Sequence, residues 1–330
     1  MLVWLIVYLM LVTGPLFALL LPPVSPGLGV VWDLAMALGF SGLGMMGVQF
    51  LLTARFKKAT APFGIDIIYY FHRYLGVIAF ALVAAHAALV LVDNPALLAF
   101  FNPARAPGYM TAGILSVLAM LLLVAASLGR KRLHIPYDGW RISHAMLAAG
   151  ATALAAVHIQ GVQYYLAEPW KAGLWHFSIA VWLALLVFVR LVRPWQLARH
   201  PYVVSEVRAE RGDAWTLVLD PDGHGGFSFE PGQFSWLTLG GSPFGMTEHP
   251  FSMSAPDTGR GRIELTVKAL GDFTRTVGST RPGARAFVDG PYGAFCPSRH
   301  QAPGYVLIAG GIGIAPMMSM LRAMAEHGDT

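Results

Sequence analysis

Charged residues are in short supply. Asp, Glu, Lys and Arg make up 12% of the 330 residues, against about 25% in an average soluble domain. With 55% hydrophobic residues and a mean hydropathy of +0.56, that shortage excludes a wholly soluble globular chain and a disordered one. Cysteine is nearly missing too. Cys296 stands alone, which excludes a disulfide scaffold and any site built from several thiolates. Acidic residues are scarcest in the first part of the chain. Residues 1–199 carry 13 Lys and Arg against five Asp and Glu, whereas residues 200–330 carry 10 against 13. The basic surplus sits in the apolar half, where it points to membrane topology rather than to nucleic acid. The chain therefore reads as a membrane domain followed by a soluble one.

Crossing about 30 Å of hydrocarbon takes about 20 mostly apolar residues. Six stretches qualify, near residues 2–21, 29–52, 67–92, 109–128, 141–165 and 173–192. The first lacks a basic n-region and a small-residue cleavage site, so it reads as a span and not as a signal peptide. Basic residues alternate between loops. Arg55, Lys57 and Lys58 follow span two, Arg130, Lys131 and Arg132 follow span four, and Arg190, Arg193 and Arg199 surround the end of span six. The opposite loops hold only Arg105 and Lys171. By the positive-inside rule, both termini face the cytoplasm.

Ionisable groups inside spans are expensive and usually functional. Span three carries His72 and His86, and span five carries His144 and His158, each pair 14 residues apart. Fourteen residues advance a helix by about 21 Å and return to within about 40° of the same face. Both spans run from inside to outside, so His72 is level with His144 and His86 with His158. Two histidines at one depth can ligate a haem iron from both faces, and two such levels make a stack of two b-type haems. Buried histidines can also merely hydrogen-bond across helices, but four at identical spacing on co-directional spans favour haem. No Cys-x-x-Cys-His occurs, so the attachment is non-covalent. Arg73 and Arg141 lie beside the inner histidines, either as partners of haem propionates or as cytoplasmic-edge anchors. His134, His176 and His200 have no partner at this spacing and read as structural.

From about residue 200 the texture changes to short β-like runs, PYVVSEVRAE, AWTLVLD, FSWLTL, GRIELTVKAL and ARAFVDG, punctuated by glycine and proline. This predicts a small antiparallel barrel. EHPFSMS (248–254) reads as a loop offering Phe251 to a planar ring and Ser252 as a hydrogen-bond partner. LGDFTRTV (270–277) offers backbone N–H groups and the Thr274 hydroxyl to a phosphate at a helix start. DGPYGAF (289–295) reads as a turn closing the barrel. GYVLIAGGIGIAPMMSMLRAMAEHG then predicts strand, glycine turn and helix, the geometry that aims a helix N-terminus at a dinucleotide phosphate. A parallel sheet needs several such units, so 303–330 is expected to be the start of an incomplete α/β domain.

Taken together, these residues resemble the ferric reductase/NADPH oxidase family of transmembrane flavocytochromes b over nearly the whole chain. The resemblance implies a six-helix transmembrane haem domain (1–195), a ferredoxin-reductase-like FAD-binding β-barrel (200–300) and the first βα unit of an NAD(P)-binding domain (303–330). His72, His86, His144 and His158 match the family's bis-histidyl haem ligands. HPFS matches its flavin loop. His249 would then lie at the phosphate–ribityl portion of FAD, Phe251 on the isoalloxazine and Ser252 at flavin N5, with Pro250 also at the cofactor. VKALGDFT matches its second FAD stretch, placing Val267, Lys268, Gly271, Asp272, Phe273 and Thr274 near the cofactor. GGIGIAP matches its NAD(P)H pyrophosphate loop, carried by Gly310, Gly311, Gly313 and Pro316. The family's later cysteine–glycine motif and terminal aromatic have no counterpart here.

The implied activity is that of an NAD(P)H-dependent oxidoreductase in a bacterial inner membrane. Hydride passes from NAD(P)H to FAD, and electrons then move singly through the inner and outer haems to an acceptor on the far side. Ferric chelate is the first choice of acceptor and dioxygen the second. Two other readings stay open: a haem-bearing subunit relaying electrons to or from a partner oxidoreductase, and a non-catalytic redox sensor.

Overall fold

Runs of Leu, Ala, Val and Met with almost no charge satisfy their backbone hydrogen bonds internally, as a helix does in a medium without water. The computed structural model describes residues 2–23, 25–56, 64–299 and 302–327. Lys57 and Lys58, counted above on a basic loop, lie outside the described residues. The chain divides into two units, residues 1–55 with 66–188 and residues 56–65 with 189–330.

The first unit is a helical bundle of α1 (Leu2–Leu19), α2 (Val30–Thr53), α3 (Ile65–Asp93), α4 (Gly108–Gly129), α5 (Tyr137–Val162) and α6 (Pro169–Val187). Five of these six apolar helices, α2 to α6, are long and apolar enough to cross a membrane. The first falls short of the expected 2–21, because Pro22 and Pro23 follow its end and proline cannot continue a helix. The most enclosed helix is α2: 56% of its apolar window is buried, against 6–17% for the others. Glycines make that burial possible. A Cβ on Gly47 would lie 2.0 Å from the Trp182 indole, and one on Gly44 would lie 3.0 Å from the Val12 carbonyl oxygen. Small residues of this kind let helices approach closely where apolar burial from water supplies no drive.

A buried cation ties the end of α1 to the start of α6. Lys171, only 1% exposed, donates from Nζ to the carbonyl oxygens of Leu19 (2.7 Å) and Pro23 (2.8 Å). The Leu19 carbonyl ends α1, where a helix leaves its last carbonyls unsatisfied and a cation is favoured; the Pro23 carbonyl lies in the turn that follows.

The sixth helix runs on past the expected 192. A π-turn at Phe188–Val192 leads into α7 (Arg193–Arg199). Pro194 would clash with the carbonyl four residues back in a regular helix. That residue, Arg190, lies in the widened turn, which removes the conflict.

The second unit holds a six-stranded antiparallel sheet in the order β4-β3-β6-β1-β2-β5. Its strands are β1 (Tyr202–Glu210), β2 (Ala214–Pro221), β3 (Phe234–Leu239), β4 (His249–Ser252), β5 (Ile263–Lys268) and β6 (Arg285–Tyr292). A bridge between Met253 and Leu265 joins the two edges, so the sheet curls back on itself. The alternation in β5 is strict: Ile263, Leu265 and Val267 are buried, and Glu264, Thr266 and Lys268 are not. These side chains share one core with Tyr202, Val204, Leu217, Leu219, Leu237, Met253 and Val288.

Three expectations change. The HPFS stretch is not a loop but the edge strand β4, hydrogen-bonded to β3 with His249 opposite Leu237. Residues 289–292 are not a closing turn but the end of β6, which lies between β3 and β1. Finally, the strand expected before the glycine turn has no ladder. Residues 304–310 join no strand, and Val306 and Ile308 are 88% and 83% exposed. A parallel strand exists only against a neighbour, and among the described residues none pairs with it. After the turn, α8 (Asp272–Thr276) having preceded it, comes α9 (Ile314–His327). It packs on the barrel unit through Met320, Ser319 (Oγ to the Ala255 carbonyl, 3.0 Å) and Arg322 (to the Ser254 carbonyl, 3.3 Å).

Candidate functional site

The bundle brings the four histidines together in the expected pairs. The ring centres of His72 and His144 are 6.0 Å apart, and those of His86 and His158 are 6.4 Å apart. Two imidazoles bound on opposite sides of one ion at about 2.0–2.1 Å have ring centres about 6 Å apart.

Each histidine is held through its other nitrogen. His86 Nδ1 donates to the Ala35 carbonyl (2.9 Å) and His158 Nδ1 to the Tyr109 carbonyl (3.0 Å). His72 Nδ1 lies 2.7 Å from Gln49 Oε1. His144 Nδ1 lies 3.1 Å from Ser127 Oγ, whose own proton goes to the Leu123 carbonyl (2.7 Å). A carbonyl can only accept, and a hydroxyl that has donated its proton can only accept. Nδ1 therefore carries the hydrogen on every ring, and Nε2 keeps its lone pair, the form a metal-binding histidine adopts.

Glycine placement explains the carbonyl contacts. Gly39 and Gly113 each stand four residues beyond the accepting carbonyl, one turn along the helix. A Cβ there would lie 2.9 Å from His86 Nδ1 and 2.6 Å from His158 Nδ1. The missing side chains are what give both rings access.

Each level offers two imidazoles. Among the described residues no group of three or more His, Cys, Asp or Glu gathers to hold an ion. Two facing donors suit an iron whose other ligands come from a macrocycle, and so the residues fit haem. Gln49 Nε2 is buried without a hydrogen-bond partner, and a bound group with acceptor atoms would satisfy it. Near these pairs, Arg73 is exposed and Arg141 lies over the Tyr137 ring at 5.7 Å.

In the second unit, β4 and α8 bring the two expected flavin stretches together. His249 stacks on Phe273 (4.1 Å between centres, 22° between planes), and Phe251 lies 6.0 Å from Phe273 at the same angle. Pro250 and Ser252 sit on β4 opposite Trp236 and Phe234. Lys268 ends β5, while Val267 turns its side chain into the core at 1% exposure, leaving only its main chain for a ligand. The Thr274 hydroxyl differs from its expected role. It accepts from the Leu270 and Gly271 N–H groups (2.9 and 2.8 Å) and donates to the Gly271 carbonyl (3.1 Å). It thus caps its own helix, which starts at Asp272 beside Gly271. Further on, Gly311 takes a left-handed φ of +54°, which favours glycine. Gly313 N–H closes the turn on the Gly310 carbonyl (3.0 Å), and Pro316 follows in the first turn of α9.

Sequence reasoning missed the groups that hold the four histidines: Gln49, Ser127 and the carbonyls of Ala35 and Tyr109. It also missed Lys171, whose signal was a lone lysine on the loop side poor in basic residues, and Arg193. The Arg193 guanidinium meets Asp289 (3.5 Å) and Tyr292 Oη (2.9 Å), and Tyr292 donates to Asp289 (2.8 Å).

Residues 38–155 match the family model described as the ferric reductase like transmembrane component. The chain is 28% identical over 202 residues to respiratory burst oxidase homolog protein D of Arabidopsis thaliana, covering 53% of this chain and 21% of that one. It is 33% identical over 131 residues to the reductase component of propane 2-monooxygenase from Rhodococcus jostii, covering 38% and 34%. A solved ferredoxin reductase of carbazole 1,9a-dioxygenase aligns at 25% identity over 40% of each chain, with a TM-score of 0.34. The chain spans about a third of the length of the propane monooxygenase reductase and about a fifth of the burst oxidase homologue. Over residues 38–155 the chain is thus similar to the ferric-reductase-like transmembrane family, and its second half is similar to flavin-dependent reductase components. The stretch that matches the ferric-reductase-like model lies mainly in the helical unit, and the barrel follows it in the chain.

Proposed function

We propose that this chain carries electrons across a bilayer from cytoplasmic NAD(P)H to an acceptor on the far side, using FAD and two b-type haems. The observation that carries the reading is the pairing of His72 with His144 and of His86 with His158, all four anchored through Nδ1. Bound there, the haems supply one-electron carriage, and FAD supplies the exchange between a hydride donor and one-electron carriers. The chain's own residues bind and orient. The two histidines of each level would hold a haem iron between them and so would leave no position on the metal open to an acceptor. On the barrel, Phe251 and Phe273 offer aromatic faces to a planar ring, with His249, Pro250 and Ser252 beside them. Lys268, Gly271, Asp272 and Thr274 border the same ligand. Gly310, Gly311, Gly313 and Pro316 shape a helix start suited to a nucleotide pyrophosphate.

Arg55, Arg130, Lys131, Arg132 and Arg190 favour a multi-pass arrangement with both termini cytoplasmic, and the membrane proposed for it is a bacterial inner membrane. Ferric chelate is the first acceptor to test. The likeness to a respiratory burst oxidase homologue favours dioxygen as the second. The deciding experiment is a reduced-minus-oxidised visible spectrum of purified protein with cofactor stoichiometry on the same sample. Two b haems and one FAD per chain are expected. Haem without flavin would move the reading to a partner-fed subunit, and no haem would overturn it.

A further inference from the structure

The two histidine levels are anchored differently. The outer rings, His86 and His158, bond to main-chain carbonyls made accessible by Gly39 and Gly113. The inner rings, His72 and His144, bond to side chains, Gln49 and Ser127. Three of the four acceptors are amide oxygens, and the fourth is a hydroxyl. That hydroxyl is also shared. Ser127 Oγ donates to the Leu123 carbonyl (2.7 Å), accepts from His144 Nδ1 (3.1 Å) and accepts from Trp140 Nε1 (3.3 Å). One donation and two acceptances use its whole capacity. The Trp140 N–H therefore competes with the His144 N–H for the same oxygen, while the Trp140 ring lies 5.2 Å from the His144 ring.

We propose that Gln49, Ser127 and Trp140 are positioning residues that hold the inner histidine pair in its iron-binding tautomer and set the electron affinity of that level independently of the outer one. The proposal rests on the haem reading above. A stronger acceptor on Nδ1–H makes the imidazole more electron-rich, and an electron-rich ligand stabilises the oxidised iron. Removing the acceptor raises the midpoint potential. Removing the competing Trp140 donor frees Ser127 to accept more strongly from His144, and lowers it. Gln49 must present its oxygen, because an amide N–H facing His72 would push the ring proton to Nε2.

The test is a potentiometric titration of the haem spectrum of the full chain, with haem content counted for every variant. Gln49→Leu and Ser127→Ala should raise the midpoint of one and the same component, Trp140→Phe should lower it, and the other component should stay in place. Opposite signs at two residues touching one oxygen are not what loosened packing produces. Ser127→Thr keeps the hydroxyl and should restore the parent potential. Loss of one haem in Ser127→Ala that Ser127→Thr restores also supports the assignment. Two haems with unmoved potentials, or shifts of both components alike, would overturn this inference and leave the proposed function standing. Parent protein without two haems would instead remove the proposed function itself.

Discussion

The helical unit and the barrel unit solve opposite solvent problems with the same chemistry. Leu115, Leu118, Leu121 and Leu122 of α4 point outward and are about half exposed, whereas the barrel keeps Leu217, Leu219, Leu237, Ile263 and Leu265 fully buried. In the barrel, burial of apolar surface from water drives folding. In the helical unit the outside is itself apolar, so the interior is defined by close approach, glycine against Trp182 and glycine against histidine. A buried polar group also means different things in the two units. Lys171 in the first satisfies main-chain carbonyls at and just after the end of α1, whereas the Arg193–Asp289–Tyr292 cluster in the second is a paired network.

The largest test of this contrast falls on the histidines. His144→Ala should abolish the inner haem and leave one haem per chain by haemochrome assay. Gly113→Ala should instead disturb the outer one, because its new Cβ would press on His158. If both variants lost the same haem, the assignment by level would be wrong.

The next effect is a matched pair of cavities. Leu265→Ala in the barrel should cost about 2–5 kcal/mol, measured by urea unfolding followed through barrel fluorescence. Leu43→Ala in α2, equally buried at 4% exposure, should cost less in detergent or lipid, where only packing is lost. Equal losses would erase the distinction.

A smaller change is expected for Tyr292→Phe. It removes the hydroxyl that accepts from Arg193 and donates to Asp289, leaving their direct ion pair, at about 1–3 kcal/mol on the same unfolding curve. The smallest effect is on pH dependence. Burial in the first place, then Glu230, pushes the Cys296 thiol up to about 11 from its ordinary 9.0. The unfolded chain therefore loses this proton first. The barrel should weaken as pH rises from about 9 to about 11, with no contribution from this group below that window. Cys296→Ala should flatten this limb in a series of urea midpoints.

Much of the architecture was legible because its signals are local. Runs of about 20 apolar residues, a strict alternation such as IELTVK, and histidines 14 apart each follow from helix or strand period alone. Other features depended on partners far along the chain. HPFS reads as a loop until Leu237 and Trp236 lie alongside it. Residues 304–310 read as a strand, yet a ladder needs a neighbour that local pattern cannot supply. Thr274 looked free for a phosphate, but its own turn takes the hydroxyl.

By itself, then, the sequence determined that helices would form in an apolar medium, that an alternating barrel would follow, and that four histidines would sit at two depths. Period and hydropathy decide such things over a few turns of chain. Only the tertiary structure decided what each histidine leans on. The Ala35 carbonyl is 51 residues from His86, and that of Tyr109 is 49 from His158. Hydrogen-bond partners at that separation are chosen by helix packing, and packing is set by which glycine leaves room.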